Sequence, residues 1–381
     1  MLSRSAFLLV AIAAVLALCV DASALDMEAA RRDLSRSGRV WFNRVEGLFI
    51  GYRLGVSPHQ LKGATVHAET GYGFDSKEAR WETGLTYRSD RVIASLTAFD
   101  RTETNDALIV GTGENSIFSA LFKWDYRDYY RTKNGFELKG SYRLRPRLTV
   151  LSSLSGFSYE TMAVKTDWGL LYPDRAYRVN PAVREGDVGL FRLGLTYDSR
   201  RGGPLFRNSW VLSGSYRRAF REFDHNALAL SATRFQKTVF GNQAFIVSAR
   251  ITSVESTAEQ FLYDLGGVGT LRGFEIKEFT GNRMVLLTAD YLFRGDVLNH
   301  VPIRGFDLVN LILFADTGWL TARPRSGHLL AGFGSLSLRD FKTDAGVSIA
   351  LPRQIFRFDV ARRLDRKEDP WVLSARIRYE F

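Results

Sequence analysis

Apolar and polar residues alternate with a period of two along most of this chain. Trp81, Thr83, Leu85 and Tyr87 interleave with Glu82, Gly84, Thr86 and Arg88. Phe136, Leu138, Gly140, Tyr142 and Leu144 interleave with Glu137, Lys139, Ser141, Arg143 and Arg145, and Phe356, Phe358 and Val360 with Arg357, Asp359 and Ala361. The last stretch is the most regular. Trp371, Leu373, Ala375, Ile377, Tyr379 and Phe381 alternate with Val372, Ser374, Arg376, Arg378 and Glu380, of which only Val372 is apolar. A period of two places successive side chains on opposite faces of a strand. Strands are therefore expected at about 44–56, 61–74, 78–88, 91–100, 116–129, 135–145, 148–160, 189–200, 209–219, 227–237, 243–254, 282–294, 305–317, 341–351, 354–365 and 371–381. The stretch 91–100 alternates ambiguously. In 116–129, Phe118, Ala120, Phe122, Trp124 and Tyr126 oppose Ser119, Lys123 and Asp125.

A soluble sandwich also alternates, but here one face carries charge in nearly every strand while the other is apolar and aromatic. That inside-out arrangement needs lipid on the outside. Strands of ~10 residues cross a bilayer at a tilt, whereas soluble strands average about five or six. The expected fold is all-β: a transmembrane antiparallel barrel of about 16 strands. An even count puts both termini at the periplasmic end, and alternate connections then face out of the cell. The long gaps 161–188, 255–281 and 318–340 all land outside, while Pro146-Arg147 and Pro352-Arg353 make tight inner turns. Residues 101–115 are an exception, a long connection on the periplasmic side, which reverses only if the count is off by one upstream. A terminal aromatic such as Phe381, with Tyr379, is the habit of barrels whose last strand closes the wall and is read during insertion.

Composition sharpens this picture. Arg4, the apolar run Phe7 to Leu18 and Ala22-Ser23-Ala24 have the layout of a secretory signal over 1–24. The run is short of the ~20 residues of a membrane anchor. Cys19 is the single cysteine and would leave with the signal, so neither disulfides nor thiol chemistry are expected. Residues 25–43 read as a short periplasmic segment, with a helix around Glu28–Arg32, that docks a partner, plugs the mouth or is a plain leader; the barrel is placed at 44–381. The net charge of +11 comes from arginines sprinkled at alternate strand positions rather than from one basic run. Together with the export signal, this argues for a basic lumen, or contact with outer-membrane lipid and lipopolysaccharide phosphates, and against nucleic acid.

One motif narrows the class. Gly266-Gly267-Val268-Gly269-Thr270-Leu271-Arg272-Gly273-Phe274 lies in the sixth external gap, and Phe314-Ala315-Asp316-Thr317-Gly318 lies two strands on. This conjunction resembles the sixth-loop signature of the bacterial surface antigen superfamily, the BamA/TamA/FhaC-type assembly and secretion barrels. The resemblance spans about 43 to 381 and extends to Asn43-Arg44-Val45-Glu46-Gly47 and to Tyr197-Asp198-Ser199-Arg200 before Gly202-Gly203-Pro204. It implies that the loop folds into the lumen and that Arg272, within Leu271, Gly273 and Phe274, pairs with Asp316 in its Phe314/Gly318 setting. Asp316 shares inward parity with Asn310 and Ile312, and Leu311 and Leu313 face lipid. The chain departs from the family in two ways. There is no room for the usual periplasmic polypeptide-transport-associated domains, and Arg376 stands where glycine is common.

The resemblance implies an outer-membrane factor that aids insertion or transport of protein or lipid. Its partners would be unfolded outer-membrane or secreted proteins and a separate periplasmic partner. An Arg-rich lumen also fits a passive anion-favouring pore. An outer-membrane lipid hydrolase is the third reading. It would need a nucleophile beside a positioned base, and His59, His67, His225, His300 and His328 have no serine in a recognisable motif. No catalytic residue, metal set, phosphate loop or cofactor is expected. Whether the Arg272–Asp316 pair is a rivet or a moving part stays open.

Overall fold

The computed structural model describes residues 34–58, 61–110, 116–200, 208–238, 243–293, 309–324, 328–351, 356–366 and 368–377. The first eight strands are β1 Leu34–Asn43, β2 Gly47–Val56, β3 Ala64–Gly73, β4 Glu78–Arg88, β5 Val92–Glu103, β6 Tyr130–Arg145, β7 Leu148–Thr161 and β8 Gly186–Asp198. There follow β9 Ser209–Arg221, β10 His225–Lys237, β11 Ala244–Val254, β12 Tyr263–Leu265, β13 Phe279–Gly281, β14 Arg283–Phe293, β15 Asn310–Thr321, β16 Lys342–Ala350, β17 Phe356–Arg363 and β18 Val372–Ile377. Sixteen of them form one antiparallel sheet in chain order from β1 to β18, with β12 and β13 set apart as a two-stranded ladder. No helix among the described residues is long and apolar enough to cross a membrane.

Alternation decides the two faces of the wall. On β2, Leu48, Ile50, Tyr52, Leu54 and Val56 are exposed, while Phe49 is buried on the other face. On β15, Ile312, Phe314 and Asp316 are buried and Leu313 is exposed, as their parity predicts. The outward band is apolar along strand after strand, the pattern of a lipid-facing wall.

The sheet has sixteen strands, but two segments differ from the expectation in compensating ways. The segment 34–43, read as periplasmic, is β1, and it pairs with β2 from Leu34↔Val56 to Asn43↔Gly47. The segment 116–129, read as a strand, begins instead as helix α1, Ser116–Phe122. Its Ser116, Phe118, Ser119 and Phe122 recur at helical spacing as readily as at strand spacing, and Lys123 adopts a left-handed φ of 58° at its end. This one-strand shift moves 104–129 to the same end of the barrel as 162–185, 255–282 and 322–341. All the long connections described then lie opposite the end where β1 begins. Residues 1–33, 201–207, 352–355 and 378–381 lie outside the described residues, and with them the signal, the Gly202-Gly203-Pro204 and Pro352-Arg353 turns, Tyr379 and Phe381.

Candidate functional site

The connection 255–282 is the sixth at its end of the barrel, and it folds inward. β12 and β13 zip its base, with Thr280 Oγ1 donating to Asp264 Oδ1 at 2.6 Å. Phe261 joins Phe99, Tyr130, Phe157, Tyr159 and Phe223 in a buried aromatic cluster at the wall. Gly266, Gly267 and Gly269 all have positive φ, so the approach to the tip is a chain of turns that L side chains resist. The Gly267 N–H then donates to the Leu271 carbonyl at 2.8 Å and closes the turn.

This turn seats four consecutive residues against the barrel interior. Leu271 is fully buried with Leu265, Phe274, Met284 and Leu286. Arg272 donates to Asp316 twice, Nε to Oδ2 at 2.6 Å and Nη2 to Oδ1 at 2.7 Å, with its Cζ 3.5 Å above the Phe314 ring. Gly273 lies so close to the wall that a Cβ would stand 2.7 Å from Asp344 Cβ and 2.9 Å from the Arg362 carbonyl carbon. Phe274 is buried with the Arg363 guanidinium 4.2 Å over its ring. Gly318 clears room as well, since a Cβ there would meet Leu265 Cδ1 at 2.8 Å.

Arg272 also reaches Asp290 Oδ1 on β14 at 3.0 Å and lies 3.8 Å from Asp359 Oδ1 on β17. Arg357 shares these carboxylates, donating to Asp290 Oδ2 at 3.0 Å and to Asp359 Oδ1 at 2.7 Å. Ser348 bonds both Asp359 and Arg357. Two guanidinium groups thus sit among Asp290, Asp316 and Asp359 from three strands, with the Asp344 side chain opposite Asp316 in register. The inward parity of Arg357 and Asp359 was legible in the alternation; their meeting with Arg272 and Asp290 was not.

A second buried cation lies five residues further along the same connection. Lys277 Nζ contacts Asp106 Oδ2 at 2.7 Å, Asp128 Oδ2 at 2.6 Å and Asp264 Oδ2 at 2.9 Å. Burial alone would pull this ammonium down, but the three carboxylates more than offset it and hold its pKa above the ordinary lysine range. Asp128 is correspondingly held below the usual carboxylate range, because Lys277 and Arg178 outweigh its burial. Asp128 Oδ1 also accepts from Arg44 Nη2 at 2.7 Å. Arg44 is fully buried, and it donates as well to the Arg127 carbonyl and to Asn180 Oδ1. The β1–β2 turn is in this way tied through Asp128 to the sixth connection. No sequence pattern marked Lys277, whose partners Asp106 and Asp128 are 171 and 149 residues away.

Arg376 on β18 donates to the Ile109 carbonyl at 2.5 Å, so this last strand too is tied to the connection 104–129. Among the described residues there is no group of three His, Cys, Asp or Glu able to hold a metal ion.

The chain is similar to BamA from Haemophilus ducreyi lacking POTRA domains 1–3, with a TM-score of 0.57, 13% identity, 90% of this chain covered and 69% of that one. The fold is that of a BamA-like barrel. CdiB from Acinetobacter baumannii matches more loosely, with a TM-score of 0.49, 11% identity, 90% of this chain covered and 59% of that one. No family model matches the chain, and no curated protein does. At these identities the likeness carries the fold alone.

Proposed function

We propose that this chain is an outer-membrane barrel of the bacterial surface antigen type that aids insertion or transport of protein or lipid across or into that membrane. The observation that carries this reading is the bidentate grip of Arg272 on Asp316. It docks the Leu-Arg-Gly-Phe tip of the loop against the wall. A guanidinium fork fixes direction as well as distance, so the docked loop has one orientation. The Lys277 centre then holds the same loop against the connection 104–129.

In this reading the signal over 1–24 exports the chain, the Tyr379/Phe381 end is read during insertion, and the docked loop keeps the wall in shape while substrate engages it. The test uses purified protein in liposomes, with the folding of an unfolded barrel substrate and ion conductance recorded on one preparation. Accelerated substrate folding that is lost in Arg272→Ala is the expected result. Anion-selective conductance with no acceleration, unchanged in Arg272→Ala, would replace this reading with that of a passive pore.

A further inference from the structure

The two ends of the sheet pose a problem. Among the described residues no ladder joins β1 to β18, and β1 stands at one end of the sheet. Phe42 is an outward residue of β1, since its neighbour Trp41 faces inward and stacks on Phe49 at 4.1 Å. Its backbone groups point away from β2, and Ser116 of α1 takes both. The Phe42 N–H donates to Ser116 Oγ at 2.5 Å, and that hydroxyl donates to the Phe42 carbonyl at 3.2 Å. A serine thus occupies the place that a neighbouring strand would take. The Phe42 ring, on the outer face, is covered by Trp168 at 5.5 Å between centroids.

The other side of the seam is covered by the same piece of structure. Phe356 on β17 alternates with the inward residues Arg357 and Asp359, so it too faces outward. Its ring lies 6.5 Å from that of Phe118 on α1. The connection 162–185 is bonded to α1 as a unit: Leu170 N–H to the Ala120 carbonyl at 3.1 Å, Leu171 N–H to the Leu121 carbonyl at 3.0 Å, and Lys123 Nζ to the Pro173 carbonyl at 2.7 Å. This lobe therefore covers outward-facing rings on both sides of the seam. Four large apolar side chains stand out on its surface, beside the exposed charges of Lys165 and Asp167: Trp168 is 50% exposed, Leu170 59%, Leu171 54% and Tyr172 54%.

We propose that the lobe built from α1 and residues 165–173 is a lipid-facing latch across the seam, and that Trp168, Leu170, Leu171 and Tyr172 insert among phospholipid acyl chains. Continuity argues for lipid as the occupant. The lobe packs on Phe42 and Phe356, which belong to the apolar band of the wall, so its own apolar surface extends that band. A Trp and a Tyr flanking two leucines suit the boundary between acyl chains and headgroups. Ser116 satisfies backbone groups at the edge, which would be costly to leave unpaired in hydrocarbon.

The test places an environment-sensitive fluorophore on a single cysteine in the full chain, with Cys19→Ser as background, reconstituted in phosphatidylcholine vesicles. Leu170→Cys and Leu171→Cys probe the lobe, Leu195→Cys on the outer face of β8 is the lipid reference, and Asp224→Cys in a short turn is the water reference. Heat-dependent gel mobility selects the folded variants, so either lobe position suffices. The expected result is a blue-shifted emission at the lobe, quenching by acyl-chain nitroxides close to that at Leu195, and loss of most of the iodide quenching seen at Asp224. Iodide quenching equal to that at Asp224, without nitroxide quenching, would overturn the proposal, as would protection from both, which would point to a protein cover.

Discussion

The Arg272 and Lys277 centres lie five residues apart in one connection, and each is a buried cation with three carboxylates, yet they fasten different things. Arg272 meets Asp290, Asp316 and Asp359, which stand on the wall strands β14, β15 and β17. Lys277 meets Asp106 and Asp128 from the connection 104–129 and Asp264 from its own. One rivets the loop to the barrel, and the other binds the inward segments to each other. The choice of cation follows the task. A planar fork stacked on Phe314 suits a fixed wall carboxylate, whereas a compact ammonium can be surrounded by three groups at once.

Substitutions at these centres should separate their roles. Arg272→Ala should have the largest effect, because Arg357 reaches Asp290 and Asp359 but no bond from it to Asp316 is present among the described residues. Removing one partner of a buried pair costs about 3–5 kcal/mol. The urea midpoint of the barrel in vesicles should fall accordingly, and the loop should become open to protease. Lys277→Ala should cost less, about 1–3 kcal/mol, since Asp128 keeps Arg44 and Arg178. Its signature is looser protection of 104–129 in hydrogen exchange with β14 and β15 unchanged. Equal losses at the wall strands in both variants would erase the distinction.

Arg272→Lys preserves the charge and loses the fork, which should cost on the order of 1–2 kcal/mol and restore only part of the protease resistance lost in Arg272→Ala. Gly273→Ala tests the approach to the wall without touching a charge. Its Cβ would collide with Asp344 and the β17 backbone, for a cost of about 1 kcal/mol or somewhat more. The smallest effect expected is the coupling in an Arg272→Ala/Lys277→Ala double-mutant cycle. The two centres share no carboxylate, so their effects should add to within about 0.5 kcal/mol. A larger coupling energy would mean that the loop moves as a single rigid piece.

Much of the barrel and part of the site were legible from local pattern. Ile312, Phe314, Asp316 and Gly318 share a face because strand parity is set residue by residue. The pairing of Arg272 with Asp316 was an expectation carried by the family resemblance. β1 was missed for a physical reason. Arg36 and Gly38 stand on its outward face beside Val40 and Phe42, so the apolar contrast that marks a wall strand is absent there. Helix α1 was missed because serines and phenylalanines three and four residues apart serve either period.

What the sequence by itself determined is the alternation, and with it most strands of a lipid-facing wall and the face on which their side chains stand. The physical reason is that a strand's two faces follow from backbone geometry and need no distant partner. Only the tertiary structure decided which buried charges meet, as with Lys277 and carboxylates more than a hundred residues away, and what covers the edge of β1. Buried charges must find partners wherever the fold brings them, and an unpaired strand edge must be covered by whatever segment reaches it. Neither requirement leaves a mark in the local order of residues.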